Sequence, residues 1–331
     1  MWSEMWSKVS PLRNPLFLTE KGLNFMKYLS VKEAAAQWEI SPVTVRKYCR
    51  EGRIPKAIHQ DKGWLIPEDA EKPGLPPAEE APVPDVVKRI LYQKVRNNHF
   101  GLYEYLQVNL AYSSCRMASN RLTRTQVLDL YRTGKLGHNF ENTKVDDIIE
   151  VVNHFTACAH VLDTVMKPLS LDYIRNIHRD LTYGTYADRT NRCEAGTFRM
   201  RAPMAHATGA AKPERISLEL DRLIRGYEKL KPNLEGVLSF HVAFEEIRPF
   251  SDYNGRVGRL ILMKECLRHG IDLFIFDDKH RREYNQGIDM WDENPLILTS
   301  AVLEAQERFR NQMDTCRLFE YHRTQNPRKL L

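Results

Sequence analysis

Beyond residue 86, apolar residues recur at steps of three and four through most of the chain, a period that predicts a run of amphipathic helices. Val145, Ile148, Ile149, Val152 and Phe155 form one stripe. Val237, Phe240, Phe244 and Ile247 form another, continued across a loop by Leu260, Met263 and Leu267. Between Asp188 and Glu214 the period lapses into Gly, Pro and alternating residues (AGTFRMRAPMAHATG), which predicts a short hairpin laid across the helices. The start of the chain reads differently. Ser30 and Glu33 make a capping box for a short helix through Trp38, and Ser41 with Pro42 opens a second helix that Gly52 closes. Ala57 to Pro67 then predicts a small hairpin, with Ile58, Trp64 and Ile66 as apolar strand residues around a polar turn at Gln60 to Gly63.

A length of 331 residues, 42% hydrophobic and 28% charged, fits about two globular domains and excludes collagen-like, coiled-coil and wholly disordered chains. The longest apolar runs, Leu260 to Met263 and Leu273 to Phe276, fall far short of the roughly 18 residues a membrane span needs. The first 25 residues hold no continuous apolar stretch of secretory type and read as an N-terminal extension, so the expectation is a cytoplasmic protein with no membrane partner. Cys49, Cys115, Cys158, Cys193, Cys266 and Cys316 have neither zinc-site nor disulfide-framework spacing, which points to buried reduced thiols. Residues 74–85 (GLPPAEEAPVPD) pack four prolines and three acidic residues together and read as a stiff linker between a module at 26–73 and a helical domain at 86–331. The net charge of +6 becomes informative only where it is concentrated: Ser41 to Ile66 carries six Lys or Arg against Glu51 and Asp61.

Helix, turn, helix and hairpin over Tyr28 to Pro73 resembles the small winged helix-turn-helix module of MerR and excisionase type. That resemblance implies a second helix entering the major groove of duplex DNA, with Thr44, Arg46, Lys47 and Arg50 on or beside it and Lys56 and Lys62 reaching phosphates. The same residues also read as the solvated basic face of an interaction module.

Chemistry concentrates at Ile247 to Arg259 (IRPFSDYNGRVGR), where a loop enters a helix. Such a junction offers backbone N–H groups and the positive end of a helix dipole to an anion, and Arg256 and Arg259 fall on one helix face. Asp252 offers a hard oxygen ligand to Mg²⁺ bridging the same phosphates. Taken alone, NGR is more simply a polar helix cap beside a solvated arginine pair. The whole segment, however, resembles the Fic (Fido) signature HPFx(D/E)GNGRxxR. FHVAFEEIRPF resembles the helix leading into that motif, AGTFR (195–199) the lead-in to the family's flap hairpin, and KVDDIIEVVNHF (144–155) a bundle helix.

The resemblance implies a mainly α fold, a Fic helical bundle with a β-hairpin flap, and transfer of AMP from ATP, with Mg²⁺, to a hydroxyl of a target protein. It places Asp252 on the metal, Tyr253, Asn254 and Gly255 at the anion hole, Arg256 and Arg259 on phosphates, and His280 and Tyr284 on the adenine or ribose side. The sequence departs from the motif at three places. The catalytic-base position holds Arg248, whose guanidinium has no acceptor lone pair and is not deprotonated in proteins. Tyr253 replaces the first glycine and is expected to crowd the approach of phosphates. SCRMAS, Ser114 to Ser119, resembles the family's inhibitory motif (S/T)xxxE(G/N) but carries Ala118 at the glutamate position, which leaves Arg259 without its expected internal partner. His241, seven residues before Arg248, is expected to be structural. Two readings follow: an adenylyltransferase-like protein impaired in transfer, or a DNA-binding regulator whose Fic domain senses nucleotide or docks a protein.

Overall fold

The computed structural model describes residues 27–60, 63–73, 82–97, 99–202, 210–230, 232–277 and 280–325. The chain forms two compact units that divide after Pro82.

In the first unit, β1 (Tyr28–Ser30) leads directly into α1 (Val31–Gln37), followed by α2 (Pro42–Arg50), β2 (Ile58–Gln60) and β3 (Gly63–Pro67). Both helices start where the sequence says. Ser30 Oγ accepts from the Glu33 N–H at 3.3 Å while Glu33 Oε2 accepts from the Ser30 N–H at 2.7 Å, and Ser41 Oγ accepts from the Thr44 N–H at 3.1 Å. The hairpin gains a third strand that its own alternation does not announce. β1 pairs antiparallel with β3, Tyr28 opposite Pro67, giving the order β1-β3-β2. A three-residue strand carries almost no pattern of its own. Ala34, Val45, Ile54 and Ile66 close a small separate core under this sheet.

The second unit is helical. It comprises α3 (Asp85–Val95), α4 (Leu102–Met117), α5 (Arg124–Thr133), α6 (Val145–Asp163), α7 (Leu171–Thr182), the short α8 (Tyr186–Arg189), α9 (Ile216–Glu228), α10 (Leu234–Ile247), α11 (Asn254–Arg268), α12 (Arg281–Asp289) and α13 (Leu296–Gln325). α3 opens at Asp85, the last residue assigned to the linker, because Pro84 already sets an extended N-cap backbone. Among the described residues the strands are confined to the first unit. Residues 195–202 carry no strand, and the tip of the expected flap hairpin, 203–209, lies outside the described residues. No helix among the described residues is long and apolar enough to cross a membrane. Cys49, Cys115, Cys158, Cys193 and Cys266 are free and buried, as their spacing suggests.

α6 exists as expected, but the apolar stripe is only part of its inner face: Ile148 and Phe155 pack against the core. Val145 and Val152 are exposed, whereas Asp147, Val151, His154, Cys158 and Val161 face inward. Polar residues on the inward face hide it from a purely hydrophobic count. α11 is buried on nearly every side, from Arg256 to Leu267, and packs against α4, α6, α7 and α10. It meets α10 at Gly258, where a Cβ would lie 2.5 Å from Glu245 Oε1 and 3.0 Å from the His241 ring. Gly258→Ala is therefore expected to push α10 and α11 apart and cost about 1–3 kcal/mol of stability, read by denaturant titration. A neutral result would mean that Glu245 swings aside freely.

Candidate active site at the α10–α11 loop

The loop between α10 and α11 is bracketed by two residues in the left-handed region, Arg248 (φ 46°) and Tyr253 (φ 66°). Each non-glycine residue there costs roughly 1–2 kcal/mol, so neighbouring contacts must hold the loop. Asn254 provides one: its Oδ1 accepts from the Phe250 N–H and its Nδ2 donates to the Phe250 carbonyl, both at 2.9 Å. Phe250 in turn stacks on His178, with ring centroids 3.8 Å apart and planes within 6°.

A second clamp is Arg199, a residue that sequence reading treats only as part of the flap lead-in. It is 3% exposed, and its guanidinium donates to the carbonyls of Arg248 (2.6 Å), Arg201 (3.0 Å), Ala211 (2.5 Å) and Ile247 (3.2 Å). The Arg199 N–H also donates to Pro249 O at 3.0 Å. One side chain thus ties the 195–202 segment, the end of α10 and residue 211 together. Burial pulls its pKa down, and Arg248 nearby adds to that.

The structure places the motif residues as follows. Arg248 caps α10 with its side chain exposed to solvent, and it carries no lone pair to accept a proton. Asp252, with its side chain 63% exposed, accepts from the Tyr253 N–H at 2.6 Å and lies 3.6 Å from Arg256 Nη2. Tyr253 does not crowd the mouth of the loop as expected. Its backbone takes the glycine-like conformation and its ring turns inward to 3% exposure, where its hydroxyl donates to Glu150 Oε1 at 3.0 Å. Arg256 follows it inward: the guanidinium stacks 3.3 Å from the Tyr253 ring centroid and its Nη1 lies 3.0 Å from Glu150 Oε1. Burial, the largest influence, lowers the pKa of Arg256, but Glu150, Tyr253, Cys115 and Asp252 together more than offset it and hold the guanidinium charged.

Arg259 is not left without an internal partner. Its Nε donates to Ser114 Oγ and its Nη2 to the Ser114 carbonyl, both at 3.0 Å. Ala118 caps α4 at the surface. Gly255 makes room for this arrangement, since a Cβ there would sit 2.8 Å from Arg259 Nη1. Tyr284 is buried, bonded through its hydroxyl to His241 Nε2 at 2.7 Å, with Arg259 5.8 Å from its ring centroid. His280 pairs with Asp277 at the start of α12. His241 thus takes the structural role expected of it.

Beside the loop is a cleft of about 760 Å³, whose wall includes Glu150, Asp252, Tyr253, Thr197 and Arg201. As arranged, these residues fit a magnesium triphosphate poorly: Arg256 is buried against Tyr253 and Glu150, and Asp252 Oδ1 is already engaged by the Tyr253 N–H. Among the described residues no cluster of three or more His, Cys, Asp or Glu is arranged to hold a metal ion. Sequence reading misses Glu150, His154 and Arg199. The first two were within reach, because Asp147, Glu150 and His154 recur at steps of three and four on α6.

In the first unit, Lys32, Arg46, Arg50, His59 and Trp64 line a groove of about 610 Å³ between α2 and the sheet. Thr44 Oγ1 lies 2.8 Å from Ser41 Oγ, Lys47 lies 3.8 Å from Glu51, and Lys56 occupies a turn with φ 60°. Lys62 lies outside the described residues.

A short helix-turn-helix unit with a sheet wing, followed by a helical bundle carrying an anion-loop motif, defines the class. Comparison agrees with this: residues 28–70 match the model of a helix-turn-helix domain, and residues 168–265 match that of the Fic/DOC family, so the chain carries both domains. Among solved structures, a Fic domain containing signaling protein from Bacteroides thetaiotaomicron is similar at 19% identity, over 70% of this chain and 91% of that one, with a TM-score of 0.51. Fic-1 from C. elegans (residues 134–508) is similar at 18% identity, over 70% and 71%, with a TM-score of 0.54. At these identities the likeness is one of fold. The comparison with curated proteins finds no match.

Three histidines around the site, His154, His178 and His241, are held neutral, each lowered to about 3 chiefly by burial. For His178 the bonding agrees, since its Nδ1 accepts from the Gly196 N–H at 2.9 Å. Unfolded, such groups titrate near 6.5, so the unfolded chain binds more protons below that pH. Their contribution is complete above about pH 6.5 and is lost as pH falls toward 3, by up to about 1.4 kcal/mol per pH unit for each group. The melting temperature is expected to fall steadily from about pH 6.5 to about pH 4, and His178→Gln to flatten that slope. An unchanged slope would show that the ring is protonated without unfolding.

Proposed function

We propose that the protein is a DNA-binding regulator whose Fic domain does not transfer AMP. One observation carries the proposal: both motif arginines face internal partners, Arg256 with Glu150 and Tyr253, Arg259 with Ser114, while the position that would accept the target's proton holds a permanent cation. Transfer of AMP from ATP to a protein hydroxyl needs that proton removed, and losing a general base costs a factor of about 10²–10⁴ in rate. ATP with Mg²⁺ and a protein target are the partners that the family resemblance implies. With the arginines turned inward, the domain serves as a nucleotide sensor or docking platform.

In the N-terminal unit, Lys32, Arg46 and Arg50 around the α2 groove supply a basic surface suited to phosphates, with Thr44 and Lys47 on the same helix and Lys56 beyond it. Binding to duplex DNA is expected to weaken steeply with salt, and replacing both Arg46 and Arg50 with Ala should lower the salt slope by about 1 for each phosphate that is no longer neutralised. A fluorescence anisotropy titration with genomic fragments tests this. Affinity that is undetectable at low salt removes the DNA reading.

The wild-type chain is expected to incorporate no label from α-labelled ATP into itself or lysate proteins. Arg248→His alone should remain inactive, because Arg256 stays turned toward Glu150. Incorporation that disappears with Asp252→Ala would reinstate an adenylyltransferase.

A further inference from the structure

α6 and α11 meet at a contact that has no counterpart in the motif reading. Glu150, on α6, accepts from the Tyr253 hydroxyl on one oxygen and from Asn120 Nδ2 at 3.0 Å on the other, and it lies against Arg256. Asn120 is itself fixed: its Nδ2 also donates to Asp147 O at 2.9 Å and its Oδ1 accepts from the Leu122 N–H at 3.1 Å. The carboxylate is therefore held in place independently of Arg256.

We propose that Glu150 is an internal stand-in for an anionic ligand, holding Arg256 buried beneath the loop, against Tyr253 and Asp252, so that a polyphosphate binds there only when this contact opens. The inference rests on the reading of the loop as an anion site, and it adds what controls that site.

Three observations support it. The first turn of α11 leaves the amides of Asn254, Gly255 and Arg256 without intrahelical acceptors, so an anion is favoured at this end. Arg256, two residues into the helix, would add its charge to those amides, yet it is 4% exposed and buried against Tyr253. Its Nη1, although 3.0 Å from Glu150 Oε1, is not aligned for a hydrogen bond and has no other partner. The guanidinium is thus held by charge and ring stacking, not by a two-pronged hydrogen-bonded fork, and one buried donor is uncommitted. Glu150 also lines the same cleft as Asp146 and Asp252. The same wall also carries Glu194, Arg192 and Arg201, so its charge is mixed; with Arg256 withdrawn, its end at the loop presents Glu150 and Asp252 without the motif cation. With Arg256 released, it presents a cation beside the helix amides.

Calorimetric titration of the full-length protein with sodium triphosphate, and separately with ATP, tests this. Wild type is expected to bind weakly. Glu150→Gln keeps the shape and removes the charge, and should tighten both ligands by at least about tenfold, equivalent to about 1.4 kcal/mol. Adding Arg256→Ala should abolish the gain. Tyr253→Phe, which keeps the ring and drops the hydroxyl, should give a smaller gain in the same direction and covers the case in which Glu150→Gln does not fold. The proposal is overturned by unchanged affinity in folded Glu150→Gln or Tyr253→Phe, by a gain that survives Arg256→Ala, or by a gain for ATP with none for triphosphate. Label incorporation is read separately. Tight binding without AMP transfer leaves both readings standing, whereas AMP transfer by Glu150→Gln would overturn the non-transferring reading and support the control by Glu150.

Discussion

A helix that is buried along its whole length yet carries charges must find their partners inside the protein, and α11 is such a helix. Arg256 lies against Glu150, Arg259 binds Ser114, and Lys264, fully buried, pairs with Glu265 at 2.6 Å while donating to Lys167 O. Leaving any of these charges buried and unpaired would cost several kcal/mol. The helices around α11 therefore supply counter-ions and acceptors as well as apolar surface, which accounts for Asp147, Glu150 and His154 facing inward from α6. The candidate site is one end of this arrangement.

The loop depends on the same constraint. It hangs between α10 and α11, which meet at Gly258 with the side chains of Glu245 and His241 laid against its Cα. Two left-handed residues bound it, and side chains from elsewhere hold it: His178 from α7 stacks on Phe250, and Arg199 gathers four carbonyls. Among the described residues Arg199 has no carboxylate partner, the carbonyl dipoles taking the place of a counter-ion. A loop fixed in this way presents a set geometry, so what it can bind is decided by which side chains face its mouth.

Much of this was legible in the sequence, for identifiable reasons. The capping residues Ser30 and Ser41 mark helix starts because their side chains satisfy backbone N–H groups locally, which needs no tertiary information. The segment from Arg248 to Arg259 could be found because loop chemistry is compressed into consecutive positions. The directions of Tyr253 and Arg259 could not be read. Whether a tyrosine in a glycine position points out or in depends on what lies beneath it, and Glu150 is more than one hundred residues away in sequence. Arg259 was expected to lack a partner because only side-chain charge was considered, whereas the Ser114 hydroxyl and carbonyl serve. The apolar stripe on α6 marked only part of its inner face, Ile148 and Phe155 packing inward while Val145 and Val152 are exposed, because the rest of that face is partly polar.

Tyr253 and Glu150 also explain how the loop keeps its shape with a tyrosine in a backbone conformation that suits glycine. The left-handed backbone of a tyrosine costs about 1–2 kcal/mol, and an inward-turned phenol needs an acceptor for its hydroxyl, or it loses a further ~1–3 kcal/mol. Glu150 accepts that hydrogen bond, but a carboxylate at 15% side-chain exposure itself needs a cation, and Arg256 is the one within reach. The stacking of Arg256 on the ring completes the set. Each step that makes the tyrosine tolerable draws Arg256 further from solvent, so the stability of this loop and the loss of an arginine at its mouth arise from one interaction.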